Sequence, residues 1–334
     1  MLRCLALALL LAAPALAATA AEPPPPSPRR PVSTYSIVAR DPATGELGVA
    51  VQSHWFSVGT IVAWAEAGVG AVATQSFVDP SYGKLGLDML RLGRAAPDAL
   101  TGLVAADGGR DVRQVAIIDA AGRVAAHTGK RCVAAAGHFV GKDFSVQANM
   151  MRNDKVWPAM ARAFQNTKGD LAARMLAALE AAEAAGGDIR GKQAAALVVV
   201  SGKPTGKSWV DRKFDLRVDD HPAPLVELRR LVTLQRAYNF MNEGDLALER
   251  SDTAGALKAY GAAQKLVPDN LEMQYWHAVA LVGVKRLDDA LPIFARVFKA
   301  DPSWRELTRR LPAAGLLPAE PRQLERILGA GGSR

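Results

Sequence analysis

This chain is poor in cysteine, in aromatic residues and in long apolar runs, and each shortage removes a class of protein. Among its 334 residues there are two cysteines, Cys4 and Cys132. Cys4 falls in an N-terminal stretch that reads as removable. Cys132 would then stand alone, unable to form an internal disulfide and best read as a small buried hydrophobe. The five histidines show no spacing with cysteine that would hold zinc, and no Gly-rich loop follows a strand. Neither a metal nor a nucleotide or other cofactor is expected. Aromatic residues make up 6% of the chain, and they do not interleave with the scattered lysines and arginines. The formal net charge of +8 therefore describes a mildly basic, solvated surface, and no nucleic-acid partner is expected. The apolar run Leu5 to Leu11 is too short and too Ala-rich to span a bilayer, so no membrane span is expected.

One further absence is local. Between Arg40 and Lys84 there is no Lys or Arg, which in a basic chain reads as buried sheet. Polar residues placed in such a stretch, Thr34, Ser36, Gln52, Ser53, His54, Gln75 and Asp79, need partners or a task.

What is present begins with a leader. Arg3, the run Leu5 to Leu11 and Ala15-Leu16-Ala17 have the order of a secretory signal peptide, assigned to residues 1–21. Export to the periplasm or out of the cell is the expectation. Residues 22–32, with Glu22-Pro-Pro-Pro-Pro-Ser-Pro-Arg-Arg-Pro31, read as an extended polyproline linker. The chain as a whole is 49% hydrophobic and 22% charged, and its 334 residues leave room for two globular domains after the linker.

The first domain is placed at residues 33–224. Strand-like runs at Tyr35–Ala39 and Leu47–Val51 precede a small-residue run ending Thr74-Gln75-Ser76-Phe77. Helical patterns follow at Pro80–Gly93 and Ala95–Ala106, the second with Pro97 in its first turn. A hairpin over Arg113–Asp119 and Arg123–His127 and a strand at Phe144–Met150 come next. Then come helices at Asp154–Phe164 and Asp170–Ala185, a buried strand at Ala194–Val200 and an edge or partner strand at Lys213–Val218. Strand sets separated by paired helices predict an α+β fold of layered sheets and helices.

The second domain, residues 225–334, reads as continuous helix. Ala256 and Ala290, Tyr260 and Phe294, and Pro268 and Pro302 are each 34 residues apart. That is the tetratricopeptide period, and Gly244, Ala263 and Ala278 fit the same pattern. Glu243 and Pro292 depart from it. Two such repeats, with Leu225–Tyr238 and Trp304–Leu311 as caps, predict a small all-α solenoid able to take a peptide or protein partner.

The segments TYSIVARDPATGELGVAVQS, WAEAGVGAVATQSF, DPSYG, AAHTGKRC, GHFVGKDFSVQANM and GGDIRGKQAAALVVV resemble the DUF1028 domain over about Ser33 to Leu225. That family's fold is assigned to the N-terminal nucleophile (Ntn) hydrolases. The resemblance implies an αββα sandwich and, as an activity, hydrolysis of a small amide or peptide substrate. It also implies Thr34 as nucleophile, because relatives open with Thr at this position; Ser33 and Ser36 are poorer alternatives. In Ntn enzymes the nucleophile's own α-amine, with a pKa of about 8, is the general base. Here that requires a cut between Ser33 and Thr34. The Lys of the proteasome-like branch has no counterpart between residues 41 and 83.

The other candidates carry two readings each. Gln75 and Asp79 orient substrate or nucleophile, or Asp79 caps the helix that follows. Gln147 and Asn149 share one strand face, where an amide can hold an oxyanion or satisfy buried backbone. His127 is an acid–base candidate or a structural hydrogen-bonder, and His54 is equally open. Asp188 and Arg190, in the polar loop Gly186–Gln193, contact substrate or pair with each other. Asp215, Asp219, Asp220 and His221 form an acidic edge that reads as solvated charge. Beside the hydrolase stands a second reading, a non-catalytic envelope module that recruits a partner through its repeats. Self-association into a homo-oligomer is left open.

Overall fold

The runs Tyr35–Ala39 and Leu47–Val51 carry small and β-branched residues at both parities, as strands buried on two faces do. In the structure, a computed structural model, they form β1 (Thr34–Arg40) and β2 (Leu47–Ser53), an antiparallel hairpin. Residue 32 and residues 34–332 are described. The expected signal peptide, the Pro-rich run through Pro31 and Ser33 lie outside the described residues. The hairpin turns where Asp41 Oδ1 accepts from the N–H groups of Ala43 and Thr44 and Gly45 takes φ +75°, an Asx-type turn.

The chain continues through α1 (Gly59–Val62), β3 (Ala63–Glu66), β4 (Gly70–Ser76), α2 (Ser81–Arg91) and α3 (Ala96–Ala106). Four strands follow: β5 (Arg113–Asp119), β6 (Val124–Thr128), β7 (Gly137–Gly141) and β8 (Phe144–Asn149). Then come α4 (Val156–Asn166), α5 (Leu171–Ala184), β9 (Ala194–Val200), α6 (Ser208–Asp211) and β10 (Arg212–Val218). Each strand set thus has four members where the sequence suggested three. The run before Phe77 is folded back on itself at Gly68, whose φ of +69° and closeness to the Pro204 ring leave no room for a side chain. The added strand of the second set, β7, is five residues bounded by glycines, too short to show a period.

Six strands make one antiparallel sheet in the order β10-β9-β2-β1-β8-β7, and four make another, β3-β4-β5-β6. Between them lies an apolar layer including Val38, Val49, Ala73, Ala116 and Val198. Helices α4 and α5 cover the outer face of the larger sheet through Met160, Phe164, Met175 and Leu179. Helices α2 and α3 cover the smaller one through Tyr82, Leu87, Leu90 and Leu100. The result is four layers, helix–sheet–sheet–helix, within a mixed α+β chain.

Beyond β10 the chain is helical: α7 (Pro224–Glu249), α8 (Thr253–Leu266), α9 (Leu271–Gly283), α10 (Leu287–Ala300), α11 (Ser303–Arg310) and α12 (Pro321–Leu328). Caps set the starts: Asp252 accepts from Gly255 N, and Asn270 from Glu272 N and Met273 N, satisfying otherwise orphaned donors. The expected N-terminal cap and the first repeat helix are one helix of 26 residues. After Pro224 nothing in α7 breaks it. Its Leu225, Leu228 and Val232 belong to the core of the larger sheet, while Ala237, Met241 and Ala247 pack with α8 and α9. Gly244 lets the Tyr260 ring approach; a Cβ there would stand 2.7 Å from it. Pro292 sits inside α10. Among the described residues no helix is long and apolar enough to cross a membrane.

Candidate functional site

Strand parity decides which side chains meet between the sheets. Thr34 pairs in register with Ser53 on one side and Asn149 on the other, and Ser36 with Gln147. Two-residue alternation sends Thr34, Ser36, Ser53, Gln147 and Asn149 to the inner face. From the smaller sheet, Gln75, Gln114 and Thr128 meet them. All but Thr128 are fully buried. One end of the inter-sheet layer is therefore polar, where the other is apolar.

Buried amides and hydroxyls require partners, and here they satisfy one another. Gln147 Nε2 donates to Ser36 Oγ and Ser36 Oγ donates to Gln75 Oε1, both at 2.6 Å. Gln75 Nε2 donates to Gln114 Oε1 at 2.7 Å and lies 3.3 Å from the Thr34 carbonyl. Gln114 Oε1 also accepts from Asn149 Nδ2 at 3.0 Å, and its Nε2 reaches Ala148 O and Thr128 Oγ1, both at 2.9 Å. Gln75 and Gln147 thus clamp the sheets together beneath Thr34. Gln114, the hub, was not among the sequence candidates. The signal for it was available: it is the polar member of the inner-face set Gln114, Ala116, Ile118.

The Thr34 hydroxyl donates to the Val32 carbonyl at 2.9 Å and lies 3.3 Å from Ser53 Oγ. Val32 is fully buried and pairs with Ser76 of the opposite sheet through two backbone bonds, N–H to Ser76 O at 2.6 Å and Ser76 N–H to its own carbonyl at 3.1 Å. Val32 therefore roofs Thr34. Ser76 takes φ +71° at this point.

Around this end of the inter-sheet layer the loops are stitched together. Met151 bridges to Asp188, and the N–H groups of Met150 and Met151 donate to Val133 O and Ala135 O. The side chain of Asp188 is fully buried; it accepts from His54 N at 3.0 Å and from Arg190 Nη2 at 3.1 Å. Asp188 and Arg190 thus pair with each other, with Arg190 about one-third exposed. The acid ties the exit of β2 to the loop before β9. Asp79 Oδ1 accepts from Ser81 N at 3.0 Å, at the start of α2, and its other oxygen stands 3.7 Å from Arg113. That is capping geometry.

His127 is not brought to Thr34. It pairs in register with Val115, whose side chain belongs to the α2–α3 face, and its Nε2 lies 2.8 Å from Arg110 O. A different histidine is wired to the network. His138 Nδ1 lies 2.8 Å from Thr128 Oγ1. That oxygen also accepts from Gln114 Nε2, so the imidazole is joined to the network through the Thr128 hydroxyl. Burial, and secondarily the neighbouring His127, hold the His138 pKa below its ordinary value. Burial likewise pushes the Cys132 thiol up, and its Sγ donates to Arg113 O at 3.3 Å. A thiol so held is a poor nucleophile. Among the described residues no His, Cys, Asp and Glu cluster could hold a metal ion.

The sequence profile of a family of unknown function, DUF1028, matches residues 34–228. A solved DUF1028 protein from Silicibacter pomeroyi is 32% identical, the alignment covering 60% of this chain and 84% of that one, with a TM-score of 0.54. No curated protein matches the chain.

Proposed function

We infer, from the premise that this chain belongs to the DUF1028 family of unknown function, that it is an exported amide hydrolase of the Ntn type with Thr34 as its nucleophile. The observation that carries this reading is the Thr34 hydroxyl at the end of a central strand, flanked in register by Ser53 and Asn149 and roofed by Val32. The four-layer architecture supports it as well. Hydrolysis of the Ser33–Thr34 bond would remove the roof and free the α-amine on the same residue.

The chemistry then closes on itself. The amine takes the hydroxyl proton as Oγ1 bonds to the carbonyl carbon of a small amide or peptide. Asn149 and backbone N–H groups stabilise the oxyanion. Collapse breaks the C–N bond, the α-ammonium returns the proton to the leaving amine, and water hydrolyses the resulting ester. Gln75, bonded to the Thr34 carbonyl, positions the nucleophile. Arg190, part-exposed on its loop, is assigned to a carboxylate of the substrate.

The test is the intact mass of the protein recovered from the exported fraction, followed by an amidase screen. A chain beginning at Thr34, with activity abolished in Thr34→Ala, is the expected result. A chain that retains Val32 and Ser33, or activity that survives the substitution, sinks the assignment. The alternative, a non-catalytic envelope module with tetratricopeptide-like repeats, draws on a different observation. A groove of about 380 Å³ runs along α7 and α8, lined by Phe240, Glu243, Arg250, Lys258 and Ala259, and it suits an extended peptide.

A further inference from the structure

At the end of the sandwich opposite Thr34, residues far apart in sequence gather into one surface. The connection from β9 to β10, residues 201–211, lies there, because Val200 pairs with Leu47 at the far end of β2 from Ser53. The C-terminal end of α2 lies there too. Leu90 packs on Gly70, the first residue of β4, and Arg91 pairs with Glu66. Glu66 in turn lines a cleft with Pro204, Gly206 and Ser208. Two elements from different layers thus converge on one face.

That face is apolar at its tip and basic around it. Leu92 is 84% exposed, Trp209 76% and Val210 56%. Lys203, Lys207 and Arg94 are exposed beside them, and none takes part in an ion pair among the described residues. The loop is held in shape. The buried Asp211 carboxylate accepts twice from Thr205 N, at 3.0 and 3.1 Å, and its carbonyl accepts from Ser201 N at 2.8 Å. Pro204 rests against Gly68. Trp209 is therefore presented by a braced loop, with nothing among the described residues folded over it.

We propose that this end of the molecule docks on an anionic phospholipid surface, with Trp209 and Val210 entering the headgroup region and Lys203, Lys207 and Arg94 facing the phosphates. The combination is specific to such a surface. Trp prefers the membrane–water boundary, where an apolar ring and a polar N–H are both satisfied. Unpaired cations gain from the negative potential of anionic lipid. A neutral protein groove would have no use for the basic rim. The orientation leaves the Thr34 end pointing away from the bilayer.

The experiment is cosedimentation with vesicles of phosphatidylcholine alone and of phosphatidylcholine with phosphatidylglycerol, at low and high salt. The chain used lacks residues 1–21, whose apolar run would itself partition; no described contact is lost. Binding to the phosphatidylglycerol vesicles, weakened by salt, is expected. Both Trp209→Ser with Val210→Ser and Lys203→Glu with Lys207→Glu should reduce it roughly tenfold or more. Unchanged thermal melts would show that the variants fold. Absence of binding by the parent chain, which would leave the patch to a protein partner, overturns the proposal. So does equal binding by the Ser variant, which would reduce the contact to surface charge.

Discussion

Gln114 joins the two sheets by accepting from Gln75 and Asn149 and donating toward Thr128 and the Ala148 carbonyl. Gln114→Leu would keep the volume and remove both acceptor and donors, leaving buried polar groups without a partner. A loss of about 2–4 kcal/mol in urea unfolding is expected, with Ser36→Ala milder because it touches two amides only. The histidines make a second residue-scale prediction. Burial, with His127, depresses the His138 pKa, and burial, with Arg286, depresses that of His277. The unfolded chain therefore takes up these protons first. Stability should be fully present above about pH 6.5 and fall as the pH drops from there toward the folded values. Melting temperature followed from pH 8 to 5 reads this, and His138→Gln with His277→Gln should flatten the slope. At this scale part of the site is legible: period two puts Gln147 and Asn149 on one strand face, while Thr34 comes from the family resemblance and a strand buried on both faces does not say which parity is inner. Gln114 shows in the sequence only as the one polar residue of its strand face and His138 not at all, because their roles come from the opposite sheet. Partners across a sandwich leave no spacing in the chain.

Helices show what local signals can and cannot decide. Asp170 is legible as a cap. It precedes an apolar helix, and its side chain accepts from Ala173 N while also pairing with Arg236 of α7 through two bonds of 2.6 and 3.0 Å. Asp170→Ala should cost about 1 kcal/mol or slightly more. Asp170→Asn, which keeps an acceptor for the cap but not the charge, should cost less, since the partly exposed ion pair adds little. Chemical denaturation of the two variants side by side separates the contributions. Elements without strong local signals were not legible. The four-residue β3, Ala-Trp-Ala-Glu, and the five-residue β7, Gly-His-Phe-Val-Gly, show no sustained alternation to mark them. The long α7 was divided in the sequence because a repeat register implied a new helix. The chain between Leu225 and Glu249 holds no proline and no cap that would end one.

On the scale of the whole molecule, α7 is the member that both units share. Its first turns complete the core of the larger sheet through Leu225, Leu228 and Val232, and Arg229 pairs with Glu180 of α5. A chain ended after Ala223 would leave that core open and is expected to aggregate or to melt well below the parent. One ended after Arg250 should keep the sandwich folded. Solubility and far-ultraviolet circular dichroism melts of the two truncations distinguish them. The family profile, ending at residue 228, stops inside this helix, about one turn in. A continuous helix of 26 residues also has a geometrical meaning. It is a rod of about 39 Å, embedded at one end in the sheet-and-helix layers and at the other in the C-terminal helices, so no free swivel separates them. The α7–α8 groove is therefore carried at a fixed bearing from Thr34, like two instruments mounted on a single bench.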